Sequence, residues 1–229
     1  MPSALVTGGS SGIGLAIARM LKEEGYDLTL ASRTPERLEP AAAELAAHAV
    51  VANVAREEDC VALVAAHRDR FGGLDVLVNS AGIGIADAAD RLVAKHVDLQ
   101  IDVNLRGLLL VTREALPALR ASRGWIVNLS SIAGTGPTPG LLVYGATKAA
   151  VIAATRTLNA ELDADGVRAV AICPGFVDTR MAEWAGLAAE EMIHPDDCAE
   201  IVRMCLRLSP RARIPQVIVE RVGSSGGVG

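Results

Sequence analysis

The chain has 229 residues, 51% of them apolar and 21% charged, which is enough to bury a substantial core within the size that one α/β domain fills. Its net charge of −5 comes from interspersed acids and bases without a run of one sign, and only 3% of residues are aromatic, which excludes a basic patch or stacking platform for nucleic acid. No stretch approaches the roughly 18 apolar residues of a membrane span, and MPSALVTGG carries no basic-then-apolar leader, so a cytoplasmic protein is expected.

Short aliphatic or β-branched runs alternate with helical patterns along the whole chain, the mark of parallel strands joined by helical crossovers. Strands are predicted at Ala4 to Thr7, Asp27 to Ser32, Ala49 to Val54, Leu74 to Asn79, Trp125 to Ser130, Arg168 to Cys173 and Gln216 to Glu220. Between the first two, Ile13, Ala16, Ile17, Met20 and Leu21 form one helical stripe that stops at Gly25. A second helix opens at Thr34-Pro35 and runs to about Ala47; another starts near Pro195, with Asp196 and Asp197 in its first turn. The latter carries Cys198, Ile201, Val202 and Cys205 on its apolar face. Cys60 and Cys173 complete the cysteine set, which has neither CxxC spacing nor matched histidines; buried thiols are expected, with no disulfide framework and no metal site. Gly134 to Gly140 reads as a loop at the carboxyl edge of the sheet.

Thr7-Gly8-Gly9-Ser10-Ser11-Gly12-Ile13-Gly14 links the first strand to the first helix, so its backbone N–H groups and the helix dipole suit a pyrophosphate. The GxxxGxG spacing differs by one step from the usual dinucleotide fingerprint and lacks the Lys-Ser/Thr ending of a nucleotide-hydrolysing loop. After the second strand comes Ser32-Arg33, where a carboxylate would mark NAD; the arginine instead favours NADP, with NAD as the alternative.

Tyr144 and Lys148 stand four apart at the start of a helical pattern and share one face. A free phenol titrates near ~10, and a neighbouring ammonium lowers that value toward working pH. Ser130 and Ser131 end the fifth strand at the carboxyl edge, where a hydroxyl can donate to a substrate oxygen. A serine nucleophile is disfavoured, because there is no GxSxG elbow and none of His48, His67, His96 or His194 ends a predicted strand near it.

In combination and in chain order, these motifs resemble the short-chain dehydrogenase/reductase family over nearly the whole chain. TGGSSGIG is similar to its cofactor turn, Asn79-Ser80-Ala81-Gly82 to its NNAG motif, and Asn104 to its active-site asparagine. Ser131 with Tyr144 and Lys148 matches its serine and YxxxK pair, and Pro174-Gly175-Phe176-Val177-Asp178-Thr179 its PG segment. The resemblance implies a single-domain, doubly wound Rossmann fold over 1–222, with a seven-stranded, mainly parallel sheet and helices on both faces, followed by a flexible tail at 223–229. It implies hydride transfer between NADP(H) and a carbonyl or alcohol. Tyr144 would move the proton, Lys148 would lower the Tyr144 pKa and hold a ribose, Ser131 would polarise the carbonyl, and Asn104 would sit where a bent helix keeps a water beside Lys148. Cofactor contacts would come from Gly8, Ser10, Ser11, Gly12, Ile13, Gly14, Arg33, Asn53, Val54, Asn79, Ala81, Gly82, Pro174, Gly175, Val177 and Thr179 as well as Tyr144 and Lys148.

Ser80 replaces the second Asn of NNAG, where a sheet-bracing effect is expected, and Asn53 stands where relatives carry Asp beside the adenine. The substrate pocket would be lined by Ile83, Ile132, Leu141, Phe176, Met181 and Trp184, with Met181, Trp184 and Leu187 as a short lid and Arg180 as the one anion anchor. By analogy, helices from about Asp98 to Leu119 and Leu141 to Ala164 would pair with a second subunit, giving a homodimer or homotetramer, of which the dimer is favoured. The rival from another class is a non-catalytic dinucleotide-binding regulator on the same fold; an epimerase or dehydratase is a further rival with little room for its extra domain.

Overall fold

The computed structural model describes residues 1–223, apart from the side chains of 183–185, so the expected tail lies outside the described residues beyond Gly223. The seven expected strands form one sheet: β1 (Ser3–Thr7), β2 (Asp27–Ser32), β3 (His48–Val51), β4 (Val76–Asn79), β5 (Trp125–Leu129), β6 (Arg168–Pro174) and β7 (Gln216–Val219). Its order is β3-β2-β1-β4-β5-β6-β7, and every pairing is parallel. The chain winds outward from β1 to β3 and then returns to lay β4 on the other side of β1. The order therefore reverses between β1 and β4, and a crevice opens there beyond the carboxyl ends.

Strand periodicity decides which residues meet which helix. On one face Val76, Val78, Trp125, Val127, Val170 and Ile172 pack with α1 (Gly12–Glu23), α2 (Pro35–Glu44) and α7 (Pro195–Leu206). On the other, Leu5, Leu77, Ile126 and Ala169 pack with α3 (Glu57–Phe71) and α5 (Leu108–Ser122), while Ile152 of α6 (Leu142–Glu161) covers Ala171 and Cys173. All four cysteines are free and buried in these layers.

Three helical details differ from expectation. The alanine run of α2 stops at Glu44, because Ala46 turns left-handed (φ 47) and lets Ala47 N–H reach back to Ala42 O at 2.8 Å. The helix α3 was not singled out by its sequence, since only Cys60, Leu63, Val64 and His67 are buried between charged turns. The run expected from Asp98 to Leu119 begins earlier, as α4 (Ala94–Ile101), and passes through a π-helical turn, Asp102–Gly107, before α5. The bend that the resemblance implies at Asn104 is this π turn, with one extra residue per turn.

Candidate functional site

The glycine turn between β1 and α1 is built by exclusion of side chains. Gly8 and Gly12 have φ of 67° and 53°, and a Cβ on Gly8 would lie 2.8 Å from Ala81 N. A Cβ on Gly14 would meet Gly8 O at 2.5 Å and Ser80 Oγ at 2.9 Å. Gly14 thus packs the turn rather than lining the groove, and Ser80 touches the turn instead of bracing the sheet interior. Thr7 Oγ1 accepts from Ser80 N (3.2 Å) and Ala81 N (3.3 Å), which fastens the segment after β4 beside the turn. Ser11, the N-cap of α1, makes no side-chain cap bond, so the first-turn N–H groups keep their polarity for a ligand.

A groove of about 320 Å³ runs from this turn (Gly8, Ser10, Ser11, Gly12, Ile13) past Ala81, Gly82 and Ile83 to Asn53 and Val54 after β3, and to Arg33 and Arg37 at the β2–α2 junction. Both guanidinium groups are exposed, and among the described residues neither has an acidic partner. Arg37 was missed by sequence reasoning; its signal was a place four residues after Arg33 in the first turn of α2. Asn53 folds onto its own loop, its Oδ1 accepting from Ala55 N (3.2 Å) while its N–H donates to Asp59 Oδ2 (2.9 Å). Arg180, expected as a substrate anchor, lines this groove instead.

A second cleft of about 450 Å³ is lined by Ser131, Tyr144 and Lys148 together with Ile132, Leu141, Pro174, Gly175, Phe176, Val177 and Met181. The two spaces share Ile13, Ser80, Gly82, Thr179 and Met181 and so adjoin one another. Gly84, Ile85 and Ala86 also line the second cleft, whereas Ile83, assigned to the substrate by sequence, lines the groove. Leu187 lines neither space, and the Trp184 side chain lies outside the described ones.

Lys148 comes from the first turns of α6 and reaches back across the end of β5. Its Nζ donates to Leu129 O at 2.8 Å and lies 5.6 Å from the Tyr144 ring centroid. Burial pushes its pKa down to about 8, opposed by Cys173. Burial pushes the Tyr144 phenol up from its ordinary value, and a hydrogen bond with Ser131 opposes this. Desolvation dominates, so the net shift of the phenol is upward and the net lowering expected from Lys148 does not appear. Ser131, itself buried, accepts from Ala133 N (3.2 Å) and donates to Pro174 O (3.4 Å), which ties the end of β5 to the end of β6.

Two asparagines play parts other than direct lining. Asn104, buried in the π turn, accepts from Ile83 N and donates to Ile83 O, both at 2.8 Å, and donates to Thr147 Oγ1 at 3.2 Å. It pins the segment after β4 to the helix that carries Tyr144 and Lys148. Asn79 stays inside the sheet, where its Nδ2 donates to Thr112 Oγ1 (3.0 Å) and Asn128 Oδ1 (2.9 Å), and Asn128 Nδ2 donates to Thr155 Oγ1 (2.9 Å). It is absent from the lining of both spaces, in contrast to the cofactor contact implied for it.

A side-chain-free cradle at a helix N-terminus, a groove at the strand-order reversal and cationic groups at its far end fit a dinucleotide. Fold and site together define a dinucleotide-binding oxidoreductase. The short chain dehydrogenase family model matches residues 2–188. An uncharacterized oxidoreductase of Staphylococcus epidermidis is 37% identical over 222 residues, 96% of each chain, and one of Staphylococcus aureus is 36% identical over 223 residues, again 96% of each. An alcohol dehydrogenase from the archaeon Thermococcus sibiricus, solved in complex with 5-hydroxy-NADP, superposes with a TM-score of 0.91 at 32% identity and covers 97% of both chains. The closed form of a serine dehydrogenase complexed with NADP+ gives 0.87 at 29% identity, covering 94% of this chain and 93% of the other. The chain belongs to the short-chain dehydrogenase/reductase family.

Proposed function

We propose that this protein transfers hydride between NADP(H) and an uncharged carbonyl compound or its alcohol, with Ser131, Tyr144 and Lys148 as the reacting machinery. The observation that carries this reading is the meeting of these three side chains in a cleft that adjoins a groove lined at its far end by two arginines. Arg33 and Arg37 would hold a 2′-phosphate, the glycine turn the pyrophosphate, and Pro174, Gly175, Val177 and Thr179 the nicotinamide end. Two structural neighbours, solved in complex with 5-hydroxy-NADP and with NADP+, support that choice, with NAD(H) as the weaker cofactor.

The cofactor supplies or accepts the hydride when bound. Ser131 donates to the substrate oxygen and holds it beside Tyr144. A phenol raised by burial is protonated at neutral pH, which suits Tyr144 to give its proton to the oxygen during reduction. Lys148, charged below about pH 8, keeps positive potential beside the developing alkoxide, while Asn104 holds the Ile83 backbone against α6. Among the described residues, Lys148 is the one charged side chain lining the cleft, which fits a neutral, apolar substrate. A homodimer and a cytoplasmic setting complete the reading; a reducing compartment suits the free, buried cysteines, and no described helix is long and apolar enough to cross a membrane.

Absorbance loss of NADPH with a panel of aldehydes and ketones tests the proposal. Turnover is expected, with kcat/KM for reduction falling as pH rises through about 8 and Lys148 loses its charge. Tyr144→Phe should lower kcat by roughly 10²–10⁴ while NADPH still binds. Absence of turnover across the panel, or a phenylalanine variant as active as the parent, refutes it.

A further inference from the structure

The cleft wall formed by Gly84, Ile85 and Ala86 lies in the segment Ile83–Asp87, which belongs to no strand or helix. Backbone polar groups outside regular structure need partners, and here they come from side chains of the α4–π-turn helix. Asn104 takes both backbone groups of Ile83. Gln100, fully buried one turn earlier, accepts from Ile85 N at 3.0 Å through Oε1, while its Nε2 donates to His96 O at 3.4 Å. Another turn back, His96 Nδ1 lies 3.0 Å from Asp87 Oδ2, and Asp87 N donates to Gly140 O at 3.2 Å.

Residues 83, 85 and 87 are thus tied to 104, 100 and 96 in antiparallel order. The match is geometric: four residues of helix rise about 6 Å, and two residues of extended chain span about 6.6 Å. The helix side chains substitute for a neighbouring strand. Gly84 is carried close to the proton donor, since a Cβ there would lie 3.6 Å from the Tyr144 ring.

We propose that Gln100 is a substrate-positioning residue: it is the middle rung of a side-chain ladder that fixes Ile83–Asp87 as the specificity wall beside Tyr144. This rests on the reading of that cleft as the reducing site. The ligand class is an aldehyde or ketone with an apolar body, laid along Ile85 and Ala86 in a cleft also lined by Ile132, Phe176 and Met181. A substrate too short to touch the wall would not sense Gln100, and a long one would.

The test compares the parent with Gln100→Met, which keeps the volume but leaves Ile85 N–H without its acceptor, and Gln100→Glu, whose carboxyl group, kept protonated by full burial, offers an acceptor to Ile85 N–H and a donor to His96 O. NADPH-dependent reduction of propanal and octanal is measured, with NADPH affinity by fluorescence and amide exchange over the Ile83–Asp87 segment. Gln100→Met should raise KM for octanal about tenfold, the effect of one lost buried acceptor, with propanal and NADPH affinity near parent values. Exchange at Ile85 should quicken, and Gln100→Glu should restore the octanal KM. Equal losses for both aldehydes, a fall in NADPH affinity alongside, or no change at all overturns the proposal. A parent that reduces no carbonyl removes the proposed function instead; exchange at Ile85 unaltered in Gln100→Met then overturns the ladder by itself.

Discussion

Arg33 and Arg37 are spaced so that one helical turn separates them at the mouth of the groove, and neither has an acidic partner among the described residues. Under the proposed function, these two guanidinium groups would hold the 2′-phosphate. Replacing both with Ala should raise KM for NADPH by about 10–100-fold, the loss expected for charge-assisted bonds, and leave KM for NADH nearly unchanged. Parallel losses for the two cofactors would contradict the assignment. At this scale the sequence was legible where chemistry is carried by order along the chain: Ser131, Tyr144 and Lys148 do converge. Arg37 and Gln100 were illegible, because an arginine in a polar helical turn and a glutamine in an amphipathic helix resemble solvated side chains until a partner is seen. The direction of the Tyr144 shift was equally hidden, since it depends on how much protein surrounds the phenol.

Among the elements, strands were read to within a residue or two because buried parallel strands are continuous aliphatic runs, except that β3 ends at Val51, three residues before the expected Val54. Helix α3 shows the opposite case. Its buried stripe includes His67, fully inaccessible beneath β1 and β2, with Nδ1 2.8 Å from Thr29 Oγ1 and Nε2 3.3 Å from Ser3 Oγ. Burial pushes the imidazole down from 6.5 to about 4, opposed by Gly73 O. The unfolded chain therefore takes up this proton first as pH falls. The stabilisation is complete above about pH 6.5 and is lost toward pH 4, on the order of 3 kcal/mol in total. Denaturant unfolding between pH 7.5 and 5, a window above most carboxylate titration, should show this decline, and His67→Gln should flatten it. Identical pH slopes in the two proteins would dismiss the histidine as the cause. The π turn is another element with consequences: a Cβ on Gly107 would lie 2.6 Å from Val54 O, so the turn packs directly against a residue that lines the groove.

For the whole molecule, the reversal of strand order between β1 and β4 places the groove, while α4, α5 and α6 each leave a large aliphatic side chain open. Ile101, Leu109 and Leu142 on these helices are exposed at 41%, 42% and 52%. The homodimer of the proposed function would cover these side chains. Light scattering should accordingly give twice the 23.8 kDa chain mass, and Leu109→Glu should shift the particle toward the monomer; a parent that is already monomeric rules out the homodimer. The same all-parallel order also sets a kinetic condition. Ala4 of β1 pairs with Val76 of β4, and Gly12 comes within reach of Thr179, beyond the end of β6, so the pocket is stitched from contacts between distant parts of the chain. Such contacts form late, because long loops must close before any of them is rewarded. During refolding, compaction should precede nucleotide affinity, and a ligand present from the start would act on the last step rather than the first.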